Sequence, residues 1–331
     1  MIITRTPFRI SFFGGGTDYP KWFREHGGAV LSTTIDKYCY ITCRYLPPFF
    51  AHKHRIVYSR IENVREISEI EHPAVKAVLG WMNWDRGLEI HHDGDLPARS
   101  GLGSSSSFTV GLLHALSALR GKYVSKEELA SQAIHVEQEV IRENVGSQDQ
   151  ISAACGGFNR IDFRPDGSFD VDPIVLPRER QAELQGCLVL CFTGLSRFAS
   201  EVAKSKLENF GARQNELKRM HEMVDQAIAI LRNPSTSIDE FGRLLDEAWR
   251  FKRSLSDKIS TPEIDAMYET ARHAGALGGK ILGAGGGGFL LLFVRPEARA
   301  RVLERLSHLV HVPFAFENSG SRVVLYQPNG I

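Results

Sequence analysis

At about 150 residues per domain, a chain of 331 residues is long enough for two domains. Its 43% hydrophobic and 24% charged content is that of a folded protein, not a disordered one. Forty basic residues against 39 acidic leave a formal net charge of +1, which argues against a nucleic-acid partner held by overall charge.

The opening stretch carries Arg5 and Arg9 inside its apolar run, so it lacks the core of a secretory signal. Strand-like runs follow in FRISFF, AVLSTTI, YCYITCRYL, RIVYSRI and LEIHH, the last at 88–92. Helical patterns cover about 105–120 and 125–142, and the turn Arg164–Gly167 joins the strands GGFNRIDF and SFDVDPIVL. The polar stretch Pro177–Gln185 is the expected seam, giving domains 1–180 and 181–331. Beyond it come the strand CLVLCFTG, long amphipathic helices at about 197–231 and 238–256, and a helix opening at Thr261-Pro262-Glu263. A strand across ILGAGGGGFLLLF, a helix near 296–309 and a hairpin VPFAFENSGSRVVLY close the chain. FLLLFV is strand-length, far short of a membrane span, so no membrane partner is expected. The five cysteines lack a Cys-x-x-Cys. Cys39/Cys43 and Cys187/Cys191 fall in strand-like runs, where four residues span about 13 Å, too far to share an ion. Reduced thiols and a cytoplasmic location follow as expectations. The element pattern is α+β rather than a strict βαβ alternation.

Glycine is the compositional outlier, 30 residues of 331, and twelve of them cluster in three places. In the middle cluster, SGLGSSSS opens a helix whose apolar residues recur at Val110, Leu113 and Leu116. Free backbone N–H groups and hydroxyls at a helix start suit a polyphosphate at the positive end of the helix dipole. One N-cap serine would serve capping alone, and no lysine follows the final glycine, so this is not a Walker A loop. The C-terminal cluster, the seven glycines between Gly278 and Gly288, contains GAGGGG, which satisfies G-x-G-x-x-G, but a strand-like run follows where a dinucleotide fold needs a helix. Close backbone approach to a ligand or to the other domain is the better reading there. The first cluster, Gly14–Gly16, precedes Thr17-Asp18, whose carboxylate suits sugar hydroxyls.

Helix 125–142 starts with a capping box, Ser125 to Glu128. Its apolar stripe (Leu129, Ala133, Val136, Val140) is widened by Ala130, Ile134 and Ile141, and Glu137 falls inside that arc. An inward carboxylate needs a cation or hydrogen bonds; a buried arginine pair and a Mg²⁺ ligand are the two readings. Asp149, past Gly146, sits at the expected start of a short helix.

The three glycine segments, in this order, resemble the GHMP kinases. The family's phosphate loop, P-x-x-x-G-L-G-S-S, matches Pro97–Ser105. Its sugar-kinase motif P-G-R-V-N-L-I-G-E-H-T-D-Y is similar to Pro7–Tyr19, PFRISFFGGGTDY, and GAGGGG matches its third motif. The resemblance implies a two-domain fold: a β-rich N-terminal domain with a left-handed β-α-β crossover, then a ferredoxin-like domain. It implies ATP phosphates on Pro97, Gly101, Leu102, Gly103, Ser104, Ser105, Ser106 and Ser107, and Mg²⁺ on Glu137 with Ser104 or Ser105. Asp149, in G-S-Q-D-Q, would be the catalytic aspartate and Arg9 its basic partner. Asp18, Thr17, Gly15, Gly16, Gly285 and Gly286 would face the acceptor. Gly15-Gly16 replaces the Glu-His of galactokinases, which leaves room for a larger sugar. The run R-x-P-x-R-I-S-F-F-G-G-G-T-D-Y-P looks most like the bacterial D-glycero-D-manno-heptose 7-phosphate kinases, which phosphorylate the anomeric hydroxyl; fucokinases come next. An acceptor phosphate would need cations, with Lys21, Arg24, Lys37, Arg44, Arg197 and Lys204 as unranked candidates. A non-catalytic sugar sensor and a decarboxylase of the same family are the rivals. Arg9, Glu137 and Asp149 together count against the first, and Thr17-Asp18 against the second. The expected partners are ATP and a sugar phosphate, and a homodimer is left open.

Overall fold

The structure is a computed structural model and describes residues 1–98, 100–195 and 199–328. The first sheet is built on β1 (Ile2–Phe13) and β2 (Gly28–Tyr45), which pair antiparallel along their length. The two apolar runs expected as separate strands within β2 are one. Where Asp36-Lys37 interrupts them, the register jumps from Pro7 opposite Tyr38 to Phe8 opposite Ile35. The polar pair bulges out beside a proline that has no N–H to give. Conversely, the run RIVYSRI divides into β3 (His54–Val57) and β4 (Ile61–Val64), an antiparallel pair.

β5 (Leu88–Gly94) pairs with the C-terminal half of β2 and lies parallel to β3. β6 (Phe158–Phe163) takes the N-terminal half of β2 and carries β7 (Phe169–Pro173). Among the helices of this half, α1 (Pro20–His26) and α2 (Pro73–Trp81) both start on proline. α3 (Ser104–Leu119) lies on β1 and β2, buried nearly all round. α4 (Lys126–His135) has Ser125 accepting from the Glu128 N–H, as the capping box predicts. α5 (Gln148–Cys155) follows.

The expected polar seam is itself a helix, α6 (Arg178–Gly186). Its residues are good helix formers, but it buries only Leu184, so its sequence shows no apolar stripe. The second sheet is antiparallel, in the order β11 (Val310–His311), β8 (Leu188–Phe192), β10 (Phe289–Val294), β9 (Ala276–Ile281). The segment read as one strand through the glycines is therefore β9 and β10 with a glycine loop between them. Gly283 and Gly285–Gly288 all have positive φ, which a strand cannot contain. The helix expected over 197–231 is two, α7 (Ala199–Asn209) and α8 (Gln214–Arg232), broken at Phe210–Ala212. α9 (Asp239–Ser254), α10 (Pro262–His273, capped by Thr261) and α11 (Pro296–Arg305) complete this half. The expected terminal hairpin does not form: β12 (Phe316–Glu317) pairs with β2 and β13 (Arg322–Tyr326) with β1.

Phe12 and Phe13 of β1 pack edge-on against Phe241 of α9, which meets Phe293 of β10. This aromatic chain joins the two sheets in one core. No helix among the described residues is long and apolar enough to cross a membrane, and all five cysteines are free thiols.

Candidate active site

The loop before α3 is fixed by the backbone of β1, where the Arg9 N–H donates to the Leu102 carbonyl at 3.0 Å. Gly103 is the N-cap of α3 at φ 77°. A Cβ there would lie 3.2 Å from Arg9 Cγ and 3.4 Å from Asp149 Oδ2. The serine row divides. Ser106 donates to Glu137 and Ser107 to the Pro7 carbonyl, each at 2.9 Å and buried. Ser105 is exposed and Ser104 half-buried in the first turn of the helix. Pro97 is exposed and Leu102 fully buried, so the open part of the expected loop is Gly101 with the first two serines, Gly103 being buried against Arg9 and Asp149.

Asp149, in the first turn of α5, takes both its oxygens to one guanidinium: Arg9 Nε to Oδ1 at 2.8 Å and a terminal nitrogen to Oδ2 at 2.7 Å. The other terminal nitrogen of Arg9 reaches the Gly101 carbonyl at 2.7 Å. The Asp149 side chain keeps 26% exposure against 4% for Arg9. A reactant can therefore reach the carboxylate while the cation stays sealed behind it.

The Gly14–Asp18 turn lies alongside. Thr17, expected to face the acceptor, instead spends its hydroxyl on the Gly14 and Ala29 carbonyls, both at 2.9 Å. It shapes the turn that presents Asp18. Asp18 Oδ1 accepts from the Gly16 N–H at 2.8 Å, and burial pushes its carboxyl pKa up against the opposing charge of Lys206. Gly15 looks toward Ser11, whose hydroxyl is held by Gln148.

Glu137 is 1% exposed and sits in a five-residue π-helical turn, Val136–Val140, that continues α4. The Ile141 N–H reaches the Val136 carbonyl, five residues back. Its Oε2 accepts from Ser106 and Gln150. Its Oε1 is buried without a hydrogen-bond partner, the Thr109 hydroxyl nearby donating to the Ser105 carbonyl. No basic side chain among the described residues pairs with Glu137, and burial lifts its pKa to about 7. The arginine-pair reading therefore fails. An orphaned carboxylate oxygen below the phosphate loop fits an oxygen-preferring dication.

Three lysines that the sequence reading did not select come from the other side of the seam. Lys280 (β9) donates to the Phe12 carbonyl at 2.7 Å. Lys252 (α9) donates to the carbonyls of Ile281 at 2.7 Å and Gly283 at 2.6 Å. Lys206 (α7) stands 4.1 Å over the Tyr19 ring. Burial lowers all three; Asp18 and Asp149 oppose it at Lys206, while neighbouring cations add to it at Lys252 and at Lys280, which falls to about 7. The closing glycines pack on the phosphate loop: a Cβ on Gly283 would lie 2.5 Å from Gly101 Cα, and the Phe289 N–H donates to the Ser100 carbonyl. Of the two expected to face the acceptor, Gly286 spends its N–H on the Ile259 carbonyl, and Gly285 lies against the same residue. Among the proposed anchors, Lys21 caps Leu207, Lys37 pairs with Asp36 and Arg44 with Glu89. Arg24 and Lys204 are exposed, and Arg197 lies outside the described residues.

Residues 65–157 match the family model for the GHMP kinases N terminal domain, and residues 227–311 that for the GHMP kinases C terminal domain. The chain belongs to the GHMP kinases. As a member it is an ATP-dependent phosphotransferase, ATP being the co-substrate the family implies. It is 29% identical over 327 residues to the D-glycero-alpha-D-manno-heptose 7-phosphate kinase of Campylobacter jejuni, covering 92% of this chain and 93% of that one. It is 26% identical to the bifunctional fucokinase/GDP-fucose pyrophosphorylase of Arabidopsis thaliana, covering 90% of this chain but only 30% of that longer protein. In fold it is similar to a D-glycero-D-manno-heptose 1-phosphate kinase from Bacteroides thetaiotaomicron, with a TM-score of 0.80, 24% identity and 98% of each chain covered. It also resembles Lactococcus lactis galactokinase, at a TM-score of 0.71 and 20% identity, over 98% of this chain and 94% of that one.

Proposed function

We propose that this enzyme transfers the γ-phosphoryl group of ATP to the anomeric hydroxyl of D-glycero-D-manno-heptose 7-phosphate, giving the 1,7-bisphosphate used to make nucleotide-activated heptose. The observation that carries the reading is the bidentate Arg9–Asp149 pair, set between the phosphate loop and the Gly14–Asp18 turn. The heptose phosphate rests on the R-x-P-x-R-I-S-F-F-G-G-G-T-D-Y-P run and on the Campylobacter relative. Asp149 accepts or orients the hydroxyl proton, and Arg9 holds it in place through two hydrogen bonds. Asp18, held by the Gly16 N–H, accepts from sugar hydroxyls. The first turn of α3 takes the polyphosphate, and positioning with charge neutralisation does most of the work. Glu137 through Oε1, with Ser104 or Ser105, would hold Mg²⁺, which when bound neutralises charge on the phosphates. In this reading residues 1–180 bind ATP and sugar, and 181–331 close the site from the other side.

Transfer to an unphosphorylated sugar is the second reading, favoured by the fucokinase relative. A screen with Mg-ATP, detecting ADP and locating the new phosphate by NMR, separates the two. Turnover confined to the heptose 7-phosphate supports the first. Equal turnover of free fucose, galactose or mannose supports the second, and no ADP from any sugar rejects both.

A further inference from the structure

Four basic side chains reach the seam between the sheets, Arg9, Lys206, Lys252 and Lys280, each more than nine-tenths buried. Three of them donate at least one hydrogen bond within the protein. Arg9 holds Asp149 and the Gly101 carbonyl. Lys252 is tied to two carbonyls of the closing loop, and Lys280 to the Phe12 carbonyl. Lys206 is 5% exposed and makes no hydrogen bond to a described residue. Its ammonium rests on the face of Tyr19, whose ring is braced edge-on by Phe210. Tyr19 directly follows Asp18, and Asp18 and then Asp149 are the carboxylates whose charge acts on Lys206. A buried ammonium with no acceptor is costly, and an aromatic face offsets only part of that cost. Of the four, Lys206 is the one that meets no hydrogen-bond acceptor among the described residues, and it stands beside the two carboxylates that address the acceptor.

We propose that Lys206 is a further catalytic residue, its ammonium donating to a non-bridging oxygen of the phosphoryl group as that group passes to the acceptor. The proposal rests on the kinase reading above. In the transfer, the bond from the γ-phosphorus to the bridging oxygen breaks and its electron pair leaves on ADP. The acceptor oxygen forms the new bond to phosphorus, and its proton goes to Asp149. Lys206 keeps its proton throughout and neutralises charge on the moving group. A phosphate at the far end of the sugar is a different use of the same chemistry, and the acceptor arm below separates it.

The test compares Lys206→Gln and Lys206→Arg with the parent enzyme, using Mg-ATP with phosphorylated and free sugars. Lys206→Gln is expected to lower kcat about 10²-fold, by the same factor on every acceptor that turns over. The KM for Mg-ATP stays within about threefold, and Lys206→Arg restores kcat by about tenfold. The thermal unfolding midpoint of Lys206→Gln stays at or above that of the parent, because a buried charge has been removed. The proposal is overturned by a kcat within about threefold of the parent. It is overturned equally by a loss confined to KM for phosphorylated acceptors, which would make Lys206 an acceptor anchor. A kcat loss that arginine fails to relieve and that comes with a lowered midpoint also overturns it. A parent that yields ADP with no sugar rejects the sugar-kinase reading instead, and Lys206 is then judged on the slow hydrolysis of ATP by water, where the same oxygens move.

Discussion

Asp149 has both carboxylate oxygens on a guanidinium that is itself locked to the Gly101 carbonyl. The carboxylate is therefore aimed without help from substrate. Asp149→Asn keeps the shape, removes the charge and sets an amide N–H against the guanidinium. It should lower kcat by about 10³-fold while leaving the Kd for Mg-ATP within about threefold, read by steady-state kinetics and nucleotide titration. Near-parent turnover would remove Asp149 from the chemistry. Glu137 asks the opposite kind of question, because its charge is a burden in the structure as it stands: Oε1 is buried without a partner. Glu137→Gln should leave the metal-free unfolding midpoint unchanged or raised, and should raise the Mg²⁺ concentration for half-maximal thermal stabilisation by about tenfold or more. A midpoint that falls while the Mg²⁺ response stays put would make Glu137 structural.

At the scale of elements, the site depends on two loops meeting backbone to backbone, since Gly283 leaves no room for a Cβ above Gly101. Gly283→Ala, at φ 68°, should displace the closing loop from the phosphate loop and raise the KM for ATP about tenfold, with a stability cost of about 1–2 kcal/mol. An unchanged KM would show that the contact does not set the phosphate loop. Elements with a strong period or cap were legible in the sequence: α3, α4 with its Ser125 cap, α9, and α10 behind Thr261-Pro262. Those that failed did so for local reasons. The bulge opposite Pro7 joined two runs into β2, and positive-φ glycines split one run into β9 and β10. Non-local pairing sent β12 and β13 back to the first sheet, which no local pattern carries. For the site, wrong-face placement and resemblance point to Arg9, Glu137 and Asp149, whereas Lys206 and Lys252 lie in stretches whose sequence shows only amphipathic helices. The criterion that singled out Glu137 would have found them. Lys206 lies between buried Val202 and Phe210, and Lys252 follows Leu245, Ala248 and Trp249 on one stripe. The serine row could not be divided from sequence, because only the axis of α3 decides which hydroxyls turn inward.

For the whole molecule, a net charge of +1 conceals a seam that concentrates buried cations beside two carboxylates, and Lys280 is the one that also ties the sheets together through the Phe12 carbonyl. Burial first, then the charges of Arg9 and Lys206, lower it to about 7, with Asp18 opposing them. An unfolded lysine titrates near 10.4. Below pH 7 both states carry the proton and the full cost of the buried charge is present. Between about 7 and 10.4 the unfolded chain binds a proton that the folded state has released, so this group's contribution to stability rises with pH. Lys280→Met has no such term and loses one hydrogen bond, a roughly constant offset of about 1 kcal/mol. The ligand-free parent should therefore gain on Lys280→Met by an amount on the order of a few kcal/mol as pH climbs from 7 to 10. Urea unfolding of both proteins at each pH reads the difference, in which titrations common to the two cancel. Parallel stability curves would mean that Lys280 stays charged across the range and that the seam solvates it better than its burial implies.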